Sequence, residues 1–282
     1  MKNAKRFNPK GYIWCTLMLL LIFVPWGLLA EREPSDLPIG ETIRYAIHVS
    51  GVKIGMQTIK LVSRELYNFN TVYRVRARMR ITGLLSFFYN YHEQWTVLID
   101  EETHYPVWVE RHIEDRGKST TYTYVIDQEN RKVFISNGNE KTMVIHTENV
   151  VFDRLSLCYY YRENPSFFNG ESSFDFLYKE SVQTISMEEV GIAEIQIPKI
   201  STDDTTTAMR FMERGGEGIE VFVGIEGFSV PLKIVFRTPV PNKKKVAEVE
   251  LFIDGYAAHT EKWYIPKRYH RLVNWSLLTL HV

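Results

Sequence analysis

Apolar and polar residues alternate with a period of two along most of this chain, the mark of strands with one buried and one wet face. Ile43, Tyr45, Ile47 and Val49 share one face of a first strand, and Val52, Ile54 and Met56 follow a Ser50-Gly51 turn. The alternation slips phase before Ile59 and Leu61, which predicts a bulge. The same period recurs over 73–81, 89–99, 107–113 and 122–126, and on both sides of Asn137-Gly138. That dipeptide suits a two-residue hairpin turn, whose central residues both need positive φ. Further short strands are expected over 174–178, 182–187, 193–197, 208–212, 219–223, 232–236 and 246–253. The loops between them are short and lack the spacing of a crossover helix between parallel strands, so an antiparallel meander follows.

One segment breaks the pattern. From Val150 to Asn164 the spacing of Leu155, Leu157, Cys158 and Tyr161 fits a helix, with Asp153 placed to cap its start and Pro165 to stop it. The expected fold is therefore all-β: a strongly curved antiparallel sheet, a β-spiral or open barrel, with one short helix from about Asp153 to Arg162 packed against it. No boundary splits residues 41–262, which read as a single β domain without internal repeats.

Both ends differ in kind from this domain. Lys2, Lys5, Arg6 and Lys10 form a basic head, and an apolar run from Tyr12 to Ala30 follows with Thr16 as its polar interruption. That order predicts export, with residues 1–30 a signal peptide or, if uncleaved, an N-terminal anchor. Pro25 and Gly27 favour processing, while Leu28 stands where a cleavage site prefers a small residue. The expected location is the periplasm, with inner-membrane anchoring and membrane contact if the segment is retained. Residues 31–40, with Pro34, Pro38 and Gly40, read as a tether. The tail, residues 263–282, interleaves Trp263, Tyr264, Tyr269 and Trp275 with Lys267, Arg268 and Arg271. It suits either a last packed element or an interfacial membrane contact.

Composition narrows the partners. The chain is 45% hydrophobic and 24% charged, as a packed domain requires. Without the basic head, 30 basic residues face 34 acidic ones, which gives no basis for a nucleic-acid partner. Beyond Ala30 Cys158 is the one cysteine, so a processed chain has no internal disulfide and depends on burial.

No motif of catalysis emerges. His92, His104, His112 and His146 lack a second ligand at metal-binding spacing, so neither metal nor cofactor is expected. No Gly-x-Ser-x-Gly turn is present, and Ser156 falls inside the expected helix. Cys158 sits among Leu155, Leu157, Tyr159 and Tyr160, a setting that raises a thiol pKa and blunts its reactivity. Gly215, Gly216 and Gly218 precede no helix start, so they read as a turn and not a phosphate cradle.

Two features remain as binding candidates. Leu84, Leu85, Phe87 and Phe88 make an apolar connection where a polar one is usual. They either touch a lipid or partner or pack across the mouth of the sheet as core, and large apolar side chains ordinarily do the second. Arg74, Arg76, Arg78 and Arg80 alternate with apolar residues, so their guanidinium groups leave one strand on the face away from the core. The next strand would oppose them with Asn90, His92, Gln94 and Thr96, and Glu110 and Glu114 arrive one strand later. The row is either an ordinary solvated face or a site for an anionic headgroup or acidic partner.

Four landmarks in order carry a family resemblance. They are Gly40-Glu41 opening a strand, Gly51 to Gly55 in its return, Asp153-Arg154-Leu155-Ser156 leading into Tyr159-Tyr160-Tyr161-Arg162, and Val230-Pro231-Leu232-Lys233-Ile234. From Gly40 to Ile253 the chain resembles the exported bacterial family catalogued as domain of unknown function 3108. The resemblance implies export and a strand pattern similar to β-spiral envelope-integrity proteins and, more distantly, to open-barrel lipoprotein carriers that enclose an apolar cavity. It brings no catalytic residues. The expected function is non-enzymatic binding of an apolar ligand or protein partner in envelope maintenance. The alternatives are an envelope enzyme acting on glycan or lipid, and a purely structural protein-binding scaffold.

Overall fold

The computed structural model describes residues 37–257 apart from 139–141, 169–170, 198–204, 215–217, 226–229 and 240–245. The expected leader, residues 1–30, and the aromatic and basic tail, residues 263–282, lie outside the described residues.

Fifteen strands form one sheet. Strands β1 (Thr42–Val49), β2 (Val52–Tyr67), β3 (Asn70–Ile81), β4 (Tyr91–Asp100), β5 (Pro106–Asp115), β6 (Lys118–Asp127), β7 (Lys132–Asn137) and β8 (Met143–His146) make a first meander. After β9 (Val151–Phe152) comes helix α1 (Arg154–Glu163). Strands β10 (Glu171–Tyr178), β11 (Ser181–Gln196), β12 (Thr205–Glu213), β13 (Ile219–Gly224), β14 (Pro231–Pro239) and β15 (Val246–Ala257) make a second. The two meanders join where β15 pairs with β1, and every pairing is antiparallel except the short one between β9 and β10. The fold is all-β with one α-helix among the described residues, and its sheet is open, with β8 and β9 as the two edges.

Those edges are consecutive in sequence. Residues 147–150 carry the chain from one to the other, and so short a link spans at most about 18 Å. Laid flat, the sheet would separate its edges by about 65 Å. It must therefore roll until they meet. Side chains close the seam where no ladder runs. The Gln128 amide donates to Val151 O at 2.8 Å and accepts from Val151 N at 3.1 Å, standing in for a neighbouring strand. Tyr124 donates its hydroxyl to Lys179 O at 2.6 Å, and Asn137 donates to Glu180 at 2.9 Å. Asp175 holds the link itself, accepting from the backbone N–H of Glu148 and Asn149 at 3.0 Å each and from Thr184 at 2.7 Å.

Several expectations are corrected. The phase slip is a bulge at Ile54, since Ile47 pairs with Gly55 while His48 pairs with Lys53. Gly55 is required there, because a Cβ would lie 2.6 Å from the Arg80 carbonyl oxygen. Asn137-Gly138 is not a two-residue turn. Only Gly138 has positive φ, Asn137 stays in register with Tyr122, and Ile135 pairs with Met143. The segments expected as separate strands at 182–187 and 193–197 are one strand, β11, bent by a register shift between Glu189 and Gly191. Nor does the tether reach residue 40: Leu37 is buried, Ile39 packs on the same core, and Gly40 N donates to Leu61 O.

The carboxyl of Asp175 is raised by its burial, yet the hydrogen bonds from Thr184, Asn149 and Glu148 prevail and hold it below the ordinary aspartate value. A depressed folded pKa stabilises the fold above the unfolded value, about 3.9, and that contribution is lost as pH falls through the lower folded value. Asp175→Asn is expected to cost about 1–3 kcal/mol at pH 7 in urea unfolding. Its stability is also expected to fall less steeply than wild type below about pH 4. An unchanged midpoint at pH 7 would show that the link holds without this residue.

Candidate functional site

Helix α1 organises the interior. Asp153 caps it, accepting from Leu155 N at 2.8 Å, while the Ser156 hydroxyl bonds back to the Asp153 backbone N–H, a reciprocal box. Leu155 and Tyr159 enter the main core beside Tyr45, Val75, Trp95 and Leu251. At the helix end Arg162 donates to both oxygens of Glu41, at 2.9 and 2.7 Å, and Tyr256 donates to the same carboxylate at 2.6 Å. Glu41 is fully buried, and this cluster ties α1 to the start of β1 and the end of β15.

Residues of three of the four sequence landmarks thus meet around one helix. Tyr45 adds a hydrogen bond from its hydroxyl to Pro231 O at 2.9 Å. A second buried cluster lies near the helix start, where Glu93 accepts from Arg111 and, at 2.8 Å, from the Tyr91 hydroxyl. Arg111 and Arg154 both lie over the Trp95 ring, at 5.5 and 4.5 Å from its centre.

The two halves of the rolled sheet are filled unequally. Under β1 to β8 the interior is occupied by Tyr45, Tyr73, Tyr124, Leu61 and Ile99, all essentially inaccessible. Between α1 and strands β10, β11, β13 and β14 a groove of about 60 Å³ remains, its lining almost wholly apolar. Leu157, Phe176, Ile219, Val221, Ile234 and Phe236 line it and stay half-buried. Their position follows from the period of two, which aims alternate residues of each strand inward. Arg154 is the charged residue of this lining. Cys158 also faces it, its thiol pushed up to about 12 by burial and by the nearby Asp153 charge, which makes it a poor nucleophile.

Neither of the two binding candidates picked out in the sequence lines this groove, although the landmark residues Arg154, Tyr161, Pro231 and Ile234 do. Leu84, Phe87 and Phe88 lie on a 3₁₀ turn (Gly83–Phe87) and the residue after it, and all are more than 80% exposed, so they do not pack across the mouth as core. The side chain of Leu85 lies outside the described residues. The physical reason is the pairing of Gly55 with Ile81, which ends the ladder just before the turn and carries it past the end of the sheet. Arg76, Arg78 and Arg80 are exposed and oppose Thr96, Gln94 and His92. Arg74 stands apart, opposite Leu98 and bonded to Glu65 of β2 at 3.0 Å, a closer carboxylate than Glu110. The groove itself left a faint sequence signal: apolar period-two positions on four late strands facing a helix that opens with an arginine.

Two substitution sets test this anatomy. Arg162→Met is expected to cost about 3–5 kcal/mol, because Glu41 is left charged and buried, while Glu41→Gln with Arg162→Met should cost less than Arg162→Met alone. Equal costs would mean the pair is not coupled. Arg76→Gln with Arg78→Gln should leave the unfolding free energy within about 0.5 kcal/mol of wild type, as surface changes do. A larger loss would place these side chains in contacts the fold requires.

A crystal structure of a beta-barrel-like protein of domain of unknown function DUF1849 from Brucella abortus is similar to this chain at 7% identity. It covers 78% of this chain and 98% of its own, with a TM-score of 0.42. No curated protein matches. The family model described as protein of unknown function DUF3108 matches residues 44–245, which run from β1 to just before β15. This chain belongs to that DUF3108 family.

Proposed function

We propose that this is an exported, non-enzymatic binding protein of the cell envelope that holds an apolar ligand in the groove between α1 and strands β10, β11, β13 and β14. One observation carries the reading. Six apolar side chains of the groove wall, Leu157, Phe176, Ile219, Val221, Ile234 and Phe236, are left half-buried between α1 and the sheet. Apolar surface kept accessible costs about 25 cal/mol per Å² that burial would have recovered, and a ligand recovers it. Export is supported by the basic head and apolar run of the first thirty residues. A binding role over an enzymatic one is supported by the engagement of the interior carboxylates Glu41, Glu93 and Asp153 in structural hydrogen bonds. A second reading, surface contact with a membrane or envelope protein, is favoured by the exposed Leu84, Phe87 and Phe88.

The test is lipid extraction and mass spectrometry of the full chain purified from the envelope, beside Val221→Trp, which fills the groove from β13. Wild type should carry a stoichiometric apolar or amphiphilic molecule that the variant lacks at unchanged thermal stability. A wild-type protein that carries none and binds no apolar fluorophore would overturn the reading.

A further inference from the structure

We propose that the groove selects an amphiphile with an anionic head, a carboxylate or a phosphate, and that the guanidinium of Arg154 reads that head. This rests on the groove being a ligand site and adds the chemical class of the ligand.

The placement of Arg154 comes from the sequence upward. Asp153 caps the helix, so Arg154 is its first residue, and the helix start is held on the inner face of the sheet. The guanidinium lies over Trp95 at 4.5 Å from the ring centre, with Phe236 at 6.0 Å. A guanidinium over an aromatic face gives up no N–H group to a hydrogen bond there, so its fork remains for a two-pronged contact with a carboxylate or phosphate. Arg154 is the charged member of an otherwise apolar groove lining, and it is half-buried there, so a molecule in the groove can reach it.

What the guanidinium lacks is an anion. Glu93, the carboxylate whose charge acts on it most, is bonded to Arg111 and Tyr91. Asp153 spends its oxygens on the helix N–H groups of Leu155 and Ser156. Glu41 is matched by Arg162. Among the described residues no carboxylate lies within 4 Å of Arg154, while the like-charged Arg111 shares its Trp95 ring. Arg111 is ion-paired with Glu93, so of the two cations over the Trp95 ring Arg154 is the one without an ion pair beside the groove. Burial accordingly pulls Arg154 below the usual guanidinium pKa, with Glu93 opposing. A partly desolvated cation without an ion pair is costly, and an anionic head arriving with an apolar tail satisfies it while the tail covers the groove wall.

The test uses three soluble probes of equal chain length, decanoate, decyl phosphate and decanol, on the full chain exchanged out of detergent. Binding is read by calorimetry or by displacement of an apolar fluorophore. Wild type should bind one or both anionic probes about 10- to 100-fold more tightly than decanol, the range of one charge-assisted hydrogen bond. The preferred probe identifies the head as carboxylate or phosphate. Arg154→Gln should remove the preference and leave decanol affinity in place. Arg154→Lys should retain part of it, because the charge survives and the stacked fork does not. Equal binding of all three probes by wild type would overturn this inference and leave the groove reading standing. Binding of none would overturn the groove reading and this inference with it. Should Arg154→Gln fail to fold, the wild-type comparison and its weakening by salt decide the matter alone.

Discussion

The link of residues 147–150 joins the two edges of a fifteen-stranded sheet, and most of what is distinctive in the molecule follows from its shortness. A chain cannot hold opposite edges within about 18 Å unless the sheet curls on itself. Curling brings an inner face into being, and that face must be filled or left open. The seam where the edges meet has no backbone ladder, so its polar groups depend on side chains: Gln128 imitates a strand for Val151, and Asp175 anchors the link. An edge closed this way keeps its hydrogen bonds without a register, which lets the sheet remain open.

Helix α1 is the second consequence. It enters directly from the edge strand β9 and is carried into the interior, where its polar ends need partners. The N-terminus is satisfied by Asp153 and Ser156, and near the C-terminus Arg162 reaches Glu41 and Tyr256. Fixing the helix at both ends sets how closely it approaches each half of the sheet. On one side it shares a core with Trp95 and Tyr45. On the other it stands off from β10, β11, β13 and β14, and the apolar groove is the space between.

Charge is distributed inside in the same uneven way. Around the helix, Glu41 and Glu93 each have an arginine and Asp153 caps the helix start, while Arg154 lies over an aromatic ring without an ion pair. Cation–π contact offsets part of the desolvation of a guanidinium but not its full hydration. The filled half of the sheet therefore carries its own neutral pairs, and the open half carries apolar walls with a cation at one end. On the outer surface, by contrast, Arg237 and Glu248 pair at 3.0 Å and Arg64 and Glu101 at 2.6 Å, as wet strand faces do.

The amino-acid sequence by itself determined the strands, the faces they bury and the helix with its cap and stop, because alternation and capping are local and need only neighbouring residues. It also set the outward direction of Arg76, Arg78 and Arg80 and their opposition to Gln94 and Thr96 on the next strand of the meander. Tertiary structure alone decided the pairing of β15 with β1, the exposure of Phe87 and Phe88, and the fusion of two short runs into the bent β11. It alone decided that Glu41 meets Arg162, 121 residues away, and that Arg154 meets Trp95 with no carboxylate. Such partnerships depend on how far the sheet rolls and where the helix is carried. Those are set by the sum of many long-range contacts, and no local spacing records them.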